Sequence, residues 1–257
     1  AIDMKVVENT GPMLVAEVQN DGVLGSHKSV NVPGEHIDLP ALTEKDKRNI
    51  KLAIDEDIDF IAHSFVRSAA DVMAVQKILD EHHSDIKIIS KIENQEGVDN
   101  IDEIIDASYG IMVARGDLGV EIPTKLVPIY QKHIIRQANI IGKPAITATH
   151  MLDSMTHNPR CTRAEAADVC NAVRDGSDGV MLSVESAAGD YPVEACETMS
   201  QIVEEAEQII SYRDRLDWLK TTSNKTVQDA VSIAISDATL TLDNIGAIVA
   251  FTQGGTT

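Results

Sequence analysis

Short apolar runs and longer amphipathic stretches take turns along the middle of this chain. The runs Asp59–Ala62, Ile86–Ser90, Gly110–Ala114, Pro144–Ala148 and Asp178–Ser183 have the length and apolar content of buried strands. The stretches between them repeat with helical spacing. They predict helices from Thr43 to about Glu56, Ser68 to about His83, Gln95 to about Ala107, Leu126 to about Ile141, Thr162 to about Asp175 and Pro192 to about Ile210. Several carry their own start and stop signals. Thr43 can cap a first turn that holds Glu44 and Asp46, Thr162–Glu165 has the form of a capping box, and Gly142 before Pro144 ends its helix. Five strand–helix repeats after an initial helix give an α/β pattern with a parallel sheet, either a barrel or a doubly wound sheet.

The flanks read differently. Residues 1–36 alternate apolar and polar positions, with turn signals at Asn20–Gly22 and Pro33–Gly34, and predict a small β-rich piece. After about Ser211 the repeat breaks. A helix is predicted from Ser223–Thr226 to about Leu240, then a strand over Ile245–Phe251 that runs into Thr252–Thr257. The expected layout is therefore 1–36, 37–211 and 212–257. An Ala at the first position and a Gly-Gly-Thr-Thr end straight after an apolar run suggest a section of a longer protein.

Polar residues gather where the central strands should end: Ser64 and Arg67, Lys91 and Glu93, Arg115 and Asp117, Thr149 and His150, Ser183 and Glu185. In a parallel barrel those ends share one face, so this series favours a barrel with one catalytic mouth. The absence of Gly-x-Gly-x-x-Gly after any strand weakens a dinucleotide fold.

Composition narrows the partners. A formal charge of −19 argues against a nucleic-acid backbone or an anionic membrane, but not against a phosphorylated substrate in a locally cationic cleft. No apolar run is long enough to span a bilayer and no signal peptide opens the chain, so a cytoplasmic setting is expected. Three cysteines without a CxxC pair (Cys161, Cys170, Cys196) read as reduced thiols rather than a zinc or disulfide framework.

Lys91 and Glu93 are two apart, so in extended backbone they point to the same side. Glu93 and Asp117 can hold Mg²⁺ or Mn²⁺, hard cations that prefer oxygen ligands; the plainer alternative is a salt-bridged pair at a barrel rim. Lys91 can offset charge on a transferring phosphoryl group, form a Schiff base, or only neutralise its neighbours. Gly116 allows close backbone approach to an anion, or is a plain turn glycine. Thr149 and Ser183 offer strand-end hydroxyls, for a substrate and for a proton path respectively, or act as caps.

These residues sit in runs that resemble the pyruvate kinase family. The likeness covers Ile88–Gly97, Ile111–Glu121, Ala148–Met155, Asn158–Arg160 with Thr162–Glu165, Val180–Ser183 and Gly189–Pro192, in that order. The resemblance implies phosphoryl transfer between phosphoenolpyruvate and ADP, giving pyruvate and ATP. It implies Lys91 at the transferring phosphoryl, Glu93 and Asp117 at the divalent cation, and Gly116, Asp117 and Thr149 at the phosphoenolpyruvate carboxylate. It also implies Ser183 near the protonation route and Lys28 near the nucleotide phosphates. It further implies K⁺, a homotetramer and, from the terminal Gly254–Thr257 run, a sugar-phosphate effector.

The fold it implies is a (β/α)8 TIM-type barrel, incomplete in this chain as strands four to eight. Residues 1–36 would end an inserted small β-domain, and the last segment would start a C-terminal α/β domain. The family's remaining nucleotide and K⁺ residues lie outside this stretch, so the isolated chain is expected to be inactive. Val184, His150, Cys161 and Ser29 stand where the family usually has Gly, Gln, Pro and Gly. The rival readings are a metal-dependent aldolase or lyase acting on a pyruvate enolate, and a non-catalytic fragment.

Overall fold

In the computed structural model the described residues are 2–26, 30–32, 34, 40–222 and 225–251. The chain divides into two compact units, residues 1–33 and 34–257. In the first, β1 (Met4–Asn9) and β2 (Leu14–Val18) pair antiparallel, with a register shift between Val6 and Glu8.

The second unit follows the predicted rhythm. It runs α1 (Glu44–Asp55), β3 (Phe60–His63), α2 (Ala69–Glu81), β4 (Lys87–Ile92), α3 (Gln95–Asp99), α4 (Ile101–Ala107) and β5 (Gly110–Ala114). It continues with α5 (Arg115–Glu121), α6 (Val127–Ile141), β6 (Ala145–Ala148), α7 (Arg163–Asp175), β7 (Gly179–Met181), α8 (Val184–Ala187) and α9 (Pro192–Gln208). Two further helices, α10 (Tyr212–Thr222) and α11 (Val227–Thr241), close it.

The five strands pair in parallel in the order β3-β4-β5-β6-β7. Spatial order equals chain order, with no reversal of direction along the sheet. A doubly wound sheet requires such a reversal. The fold is therefore of the (β/α)8 type, with an incomplete barrel sheet in this chain.

Packing follows the strand period of two. Ile88, Ile92, Ile111, Val113 and Ala145 join helix residues such as Leu79, Ile104, Ile105, Ile134 and Ile135 in the main core. Ile89, Met112 and Ala148 cluster separately with Ile146 and Met181. Lys91 has the parity of Ile89, so it lies on that second, inner face.

The predicted boundaries shift where side chains compete with backbone. The helix expected over 95–107 breaks at Asn100, whose side-chain amide donates to the Arg67 carbonyl at 2.8 Å. The strand end at Ser90 moves to Ile92 because pairing with β5 continues through Ile92↔Val113. Residues 115–121 form α5 despite Gly116 and Gly119, and the sequence reading predicts none of α5, α8 and α10. The predicted capping box of Thr162 and Glu165 forms, and the predicted cap Thr43 forms one as well with Asp46. The expected strand over Ile245–Phe251 does not form. Those residues pair with no neighbour among the described residues, and Phe251 is 98% exposed. The Thr252–Thr257 run, Lys28 and Ser29 lie outside the described residues.

Candidate active site

The register of β3, β4, β5 and β6 brings the strand-end residues together. His63 pairs with Ser90, so Ser64 follows beside Lys91, and the Ser64 hydroxyl accepts from Lys91 Nζ at 3.0 Å. Ala114 pairs with Ala148, which sets Arg115 and Gly116 beside Thr149.

Glu93 follows β4 and is fully buried. Its Oε2 accepts from the Phe65 amide at 2.7 Å. Its Oε1 lies 2.7 Å from Lys91 Nζ as an ion pair, yet it accepts no hydrogen bond of good angle among the described residues. Burial pushes the Glu93 carboxyl above its ordinary range. The Lys91 ammonium and the Phe65 amide oppose the shift, and the charge of Asp117 adds to it.

Asp117 stands in the first turn of α5, and its carboxylate has neither a hydrogen bond nor an ion pair among the described residues. Glu121, one turn on, is also pushed up, first by burial and then by the charge of Asp117. A buried carboxylate oxygen without an aligned donor, facing the field of an unpaired carboxylate, suits a divalent cation held by oxygen. No set of three or more His, Cys, Asp or Glu side chains gathers for a metal among the described residues. A cation here would have two protein carboxylates and would need substrate or water oxygens for the rest.

Thr149 follows β6 with φ 67°, and His150 comes next with φ 52°. Two successive non-glycine residues in the left-handed region are unusual, and a β-branched one is the harder case. Such residues cost on the order of 1–3 kcal/mol each and persist only where the surroundings fix them. The Thr149 hydroxyl accepts from the Gly116 amide at 2.6 Å and donates to the Ala148 carbonyl at 2.7 Å. The Gly116 amide, expected to face a ligand, therefore meets Thr149. A Cβ at Gly116 would stand 3.2 Å from the Thr149 hydroxyl, so the glycine permits the approach.

Ser183 precedes α8 and makes no side-chain cap bond to it. Its amide donates to Glu185 Oε2 at 2.8 Å, and Glu185 Oε1 accepts from the Leu152 amide at 3.1 Å. The buried Glu185 thus ties the end of β7 to the loop after β6. Val184 opens α8 without a positive φ, so valine fits at that position.

Arg115 has partners that its local sequence does not reveal. Its partners Gln131, Thr149, His150, Met151 and Asp168 are all remote in the chain, so local patterning carries no signal of them. A cavity of about 890 Å³ is lined by residues of α6, α7 and α10 such as Arg136 and Trp218 and holds none of the candidate residues. The strand-end cluster remains the candidate site because the Lys91 ammonium, the Glu93 carboxylate and the Ser64 and Thr149 hydroxyls lie at neighbouring strand ends, with the Asp117 charge acting on Glu93.

Comparison with known proteins matches residues 1–196 to the model "Pyruvate kinase, barrel domain". A pyruvate kinase of Geobacillus stearothermophilus is 51% identical over 258 residues, covering 100% of this chain and 44% of that protein. One of Clostridium acetobutylicum is 51% identical over 257 residues, covering 100% of this chain and 54% of its own length. One of Staphylococcus aureus is 48% identical over 256 residues, covering 100% and 44%. The chain spans about half the length of the curated relatives it matches.

Proposed function

Because this chain belongs to the pyruvate kinase family, we propose that it carries the metal and phosphoryl-transfer part of a site for phosphoenolpyruvate and ADP. The reaction moves the phosphoryl group from the enol oxygen of phosphoenolpyruvate to a terminal phosphate oxygen of ADP. The enolate left behind takes a proton at its methylene carbon to become pyruvate. The observation that carries this reading is the Lys91–Glu93 ion pair at 2.7 Å on the inner face of the sheet, within the field of Asp117. No feature of the site favours the lyase alternative over this one.

Glu93 and Asp117 would hold Mg²⁺ or Mn²⁺, which supplies charge to the phosphate and carboxylate oxygens of the substrate. Lys91 is the cation on the protein side. Its ammonium sits between the Ser64 hydroxyl and Glu93, which fixes its position without covering it, since its side chain keeps 22% exposure. A loose phosphoryl-transfer transition state spreads charge over oxygens, so placed cations matter more than covalent chemistry. Thr149 would turn its hydroxyl from Gly116 to the substrate carboxylate, and the Gly116 and Asp117 amides would then face the same anion. Ser183 would stand on the proton route to the methylene carbon. Lys28 would approach the nucleotide phosphates. K⁺, a homotetramer, a sugar-phosphate effector and a cytoplasmic setting belong to the same proposal. Among the described residues no helix is long and apolar enough to cross a membrane.

The direct test is pyruvate formation by the full-length protein with Mg²⁺, phosphoenolpyruvate and ADP. Pyruvate should appear only when all three are present. Turnover that ignores ADP would contradict the reading.

Gly116→Ala probes the carboxylate end. The added methyl meets Thr149 Oγ1 at 3.2 Å and His150 Cε1 at 3.4 Å, tight enough to displace both by a few tenths of an ångström. Steady-state kinetics should show kcat/KM for phosphoenolpyruvate lowered by about tenfold, since small misplacements of positioning groups are amplified in rate. The thermal midpoint should barely move, because φ at this glycine is not positive.

A further inference from the structure

We infer that Arg115 is a positioning residue, holding Thr149 and His150 in the left-handed conformation that sets the Thr149 hydroxyl beside Gly116. The inference rests on the phosphoryl-transfer reading for its kinetic arm only.

Arg115 opens α5 directly after β5, and its side chain is 9% exposed. Its Nε donates to the Thr149 carbonyl at 3.3 Å, and its Nη2 to the same carbonyl at 3.0 Å and to the His150 carbonyl at 3.1 Å. Nη2 also meets the Sδ of buried Met151 at 2.8 Å. Nη1 lies 2.7 Å from Asp168 Oδ2 on α7 and donates to Gln131 Oε1 on α6 at 3.3 Å. One planar group thus grips the carbonyls of both left-handed residues while two helices hold its other edge.

The geometry has a directional consequence. A peptide corner that passes through two left-handed residues turns both carbonyls out of the strand ladder, where they need other donors. Arg115 supplies them from a fork whose spacing is fixed. Its neighbour Gly116 then donates its amide to Thr149 Oγ1, so one dipeptide clamps the corner from both backbone and side chain. A lysine at 115 keeps the charge for Asp168 but cannot reach Asp168 and two carbonyls at once.

The test uses the full-length protein as Arg115→Lys, alone and with His150→Gly. For Arg115→Lys, kcat/KM for phosphoenolpyruvate should fall about 100-fold, the scale of a misplaced positioning group. The Gly116 amide and those of residues 148–151 should exchange faster with deuterated water, while β4 and β5 keep their protection. Glycine at 150 takes the left-handed conformation without strain, so the double variant should recover about tenfold. Asp168→Asn, which leaves the carbonyl bonds in place, gives a second variant if Arg115→Lys does not fold; its loss should be about tenfold and equally confined to the corner. Wild-type kinetics with unchanged exchange would overturn the inference. So would a loss of protection spread evenly over the sheet with no recovery by His150→Gly. If the wild-type protein transfers no phosphoryl group, the functional reading fails, and the exchange arm still decides whether Arg115 holds the corner.

Discussion

Lys91→Met in the full-length protein should lower phosphoryl transfer about 10³-fold, the scale of removing a positioned charge from a developing anion. Methionine keeps length and bulk on the inner face but removes the ammonium that stands 2.7 Å from Glu93 and 3.0 Å from Ser64. Substrate binding should stay largely intact, because on the proposed reading Gly116, Asp117 and Thr149, not Lys91, would contact the carboxylate. The loss should therefore fall on kcat rather than KM. Rapid-quench measurement of ATP formed in a single turnover separates the chemical step from product release. Wild-type turnover would remove Lys91 from the mechanism.

Glu93→Gln should abolish cation-dependent activity, again by about 10³-fold or more, and leave the fold intact or strengthen it. The sign follows from the carboxyl being pushed up by burial in the metal-free protein. A raised carboxyl favours its neutral form when folded. Its contribution to stability is full below the unfolded carboxyl pKa and is lost as pH rises through the elevated folded value. Above that elevated value the folded wild type carries a buried charge at an electrostatic cost that glutamine does not incur. Calorimetry of the metal-free proteins should show Glu93→Gln melting at or above wild type near neutrality, with the difference closing in acid. Added Mn²⁺ should raise the wild-type midpoint and leave the variant unchanged. A variant that still responds to Mn²⁺ as wild type does would take Glu93 out of the cation site.

Much of this was legible in the sequence, and the physical reasons differ from element to element. The strands of the parallel sheet are short and apolar on both faces, so the runs at 86–90 and 110–114 stood out before any fold was known. The two-residue step from Lys91 to Glu93 fixed their shared side, and the ion pair follows from it. Thr43 and Thr162 announce their helices because a capping box is local chemistry.

What the letters hid is tertiary. The left-handed corner at Thr149–His150 contains no glycine, asparagine or aspartate to signal it, and it exists because Arg115 reaches it across 34 and 35 positions of chain. The short α5 carries two glycines, which argue against a helix until β5, β6 and α6 enclose it. Asn100 splits a helix whose apolar spacing runs through it, because its amide finds a carbonyl 33 positions away. The apolar run at 245–251 shows the opposite failure: strand composition without a neighbouring strand makes no ladder.

The proposal turns on one arrangement: Glu93 and Asp117 would hold a divalent cation at the C-terminal rim of the sheet, with Lys91 beside them at the transferring phosphoryl group. Crystals of the full-length protein grown with Mn²⁺ and phosphoenolpyruvate test it through the anomalous signal of the metal. The expected result is a peak next to the Glu93 and Asp117 carboxylates, with Lys91 on the side of the substrate phosphate. A peak elsewhere, with Glu93 still closed on Lys91 and no metal between the two carboxylates, would contradict it.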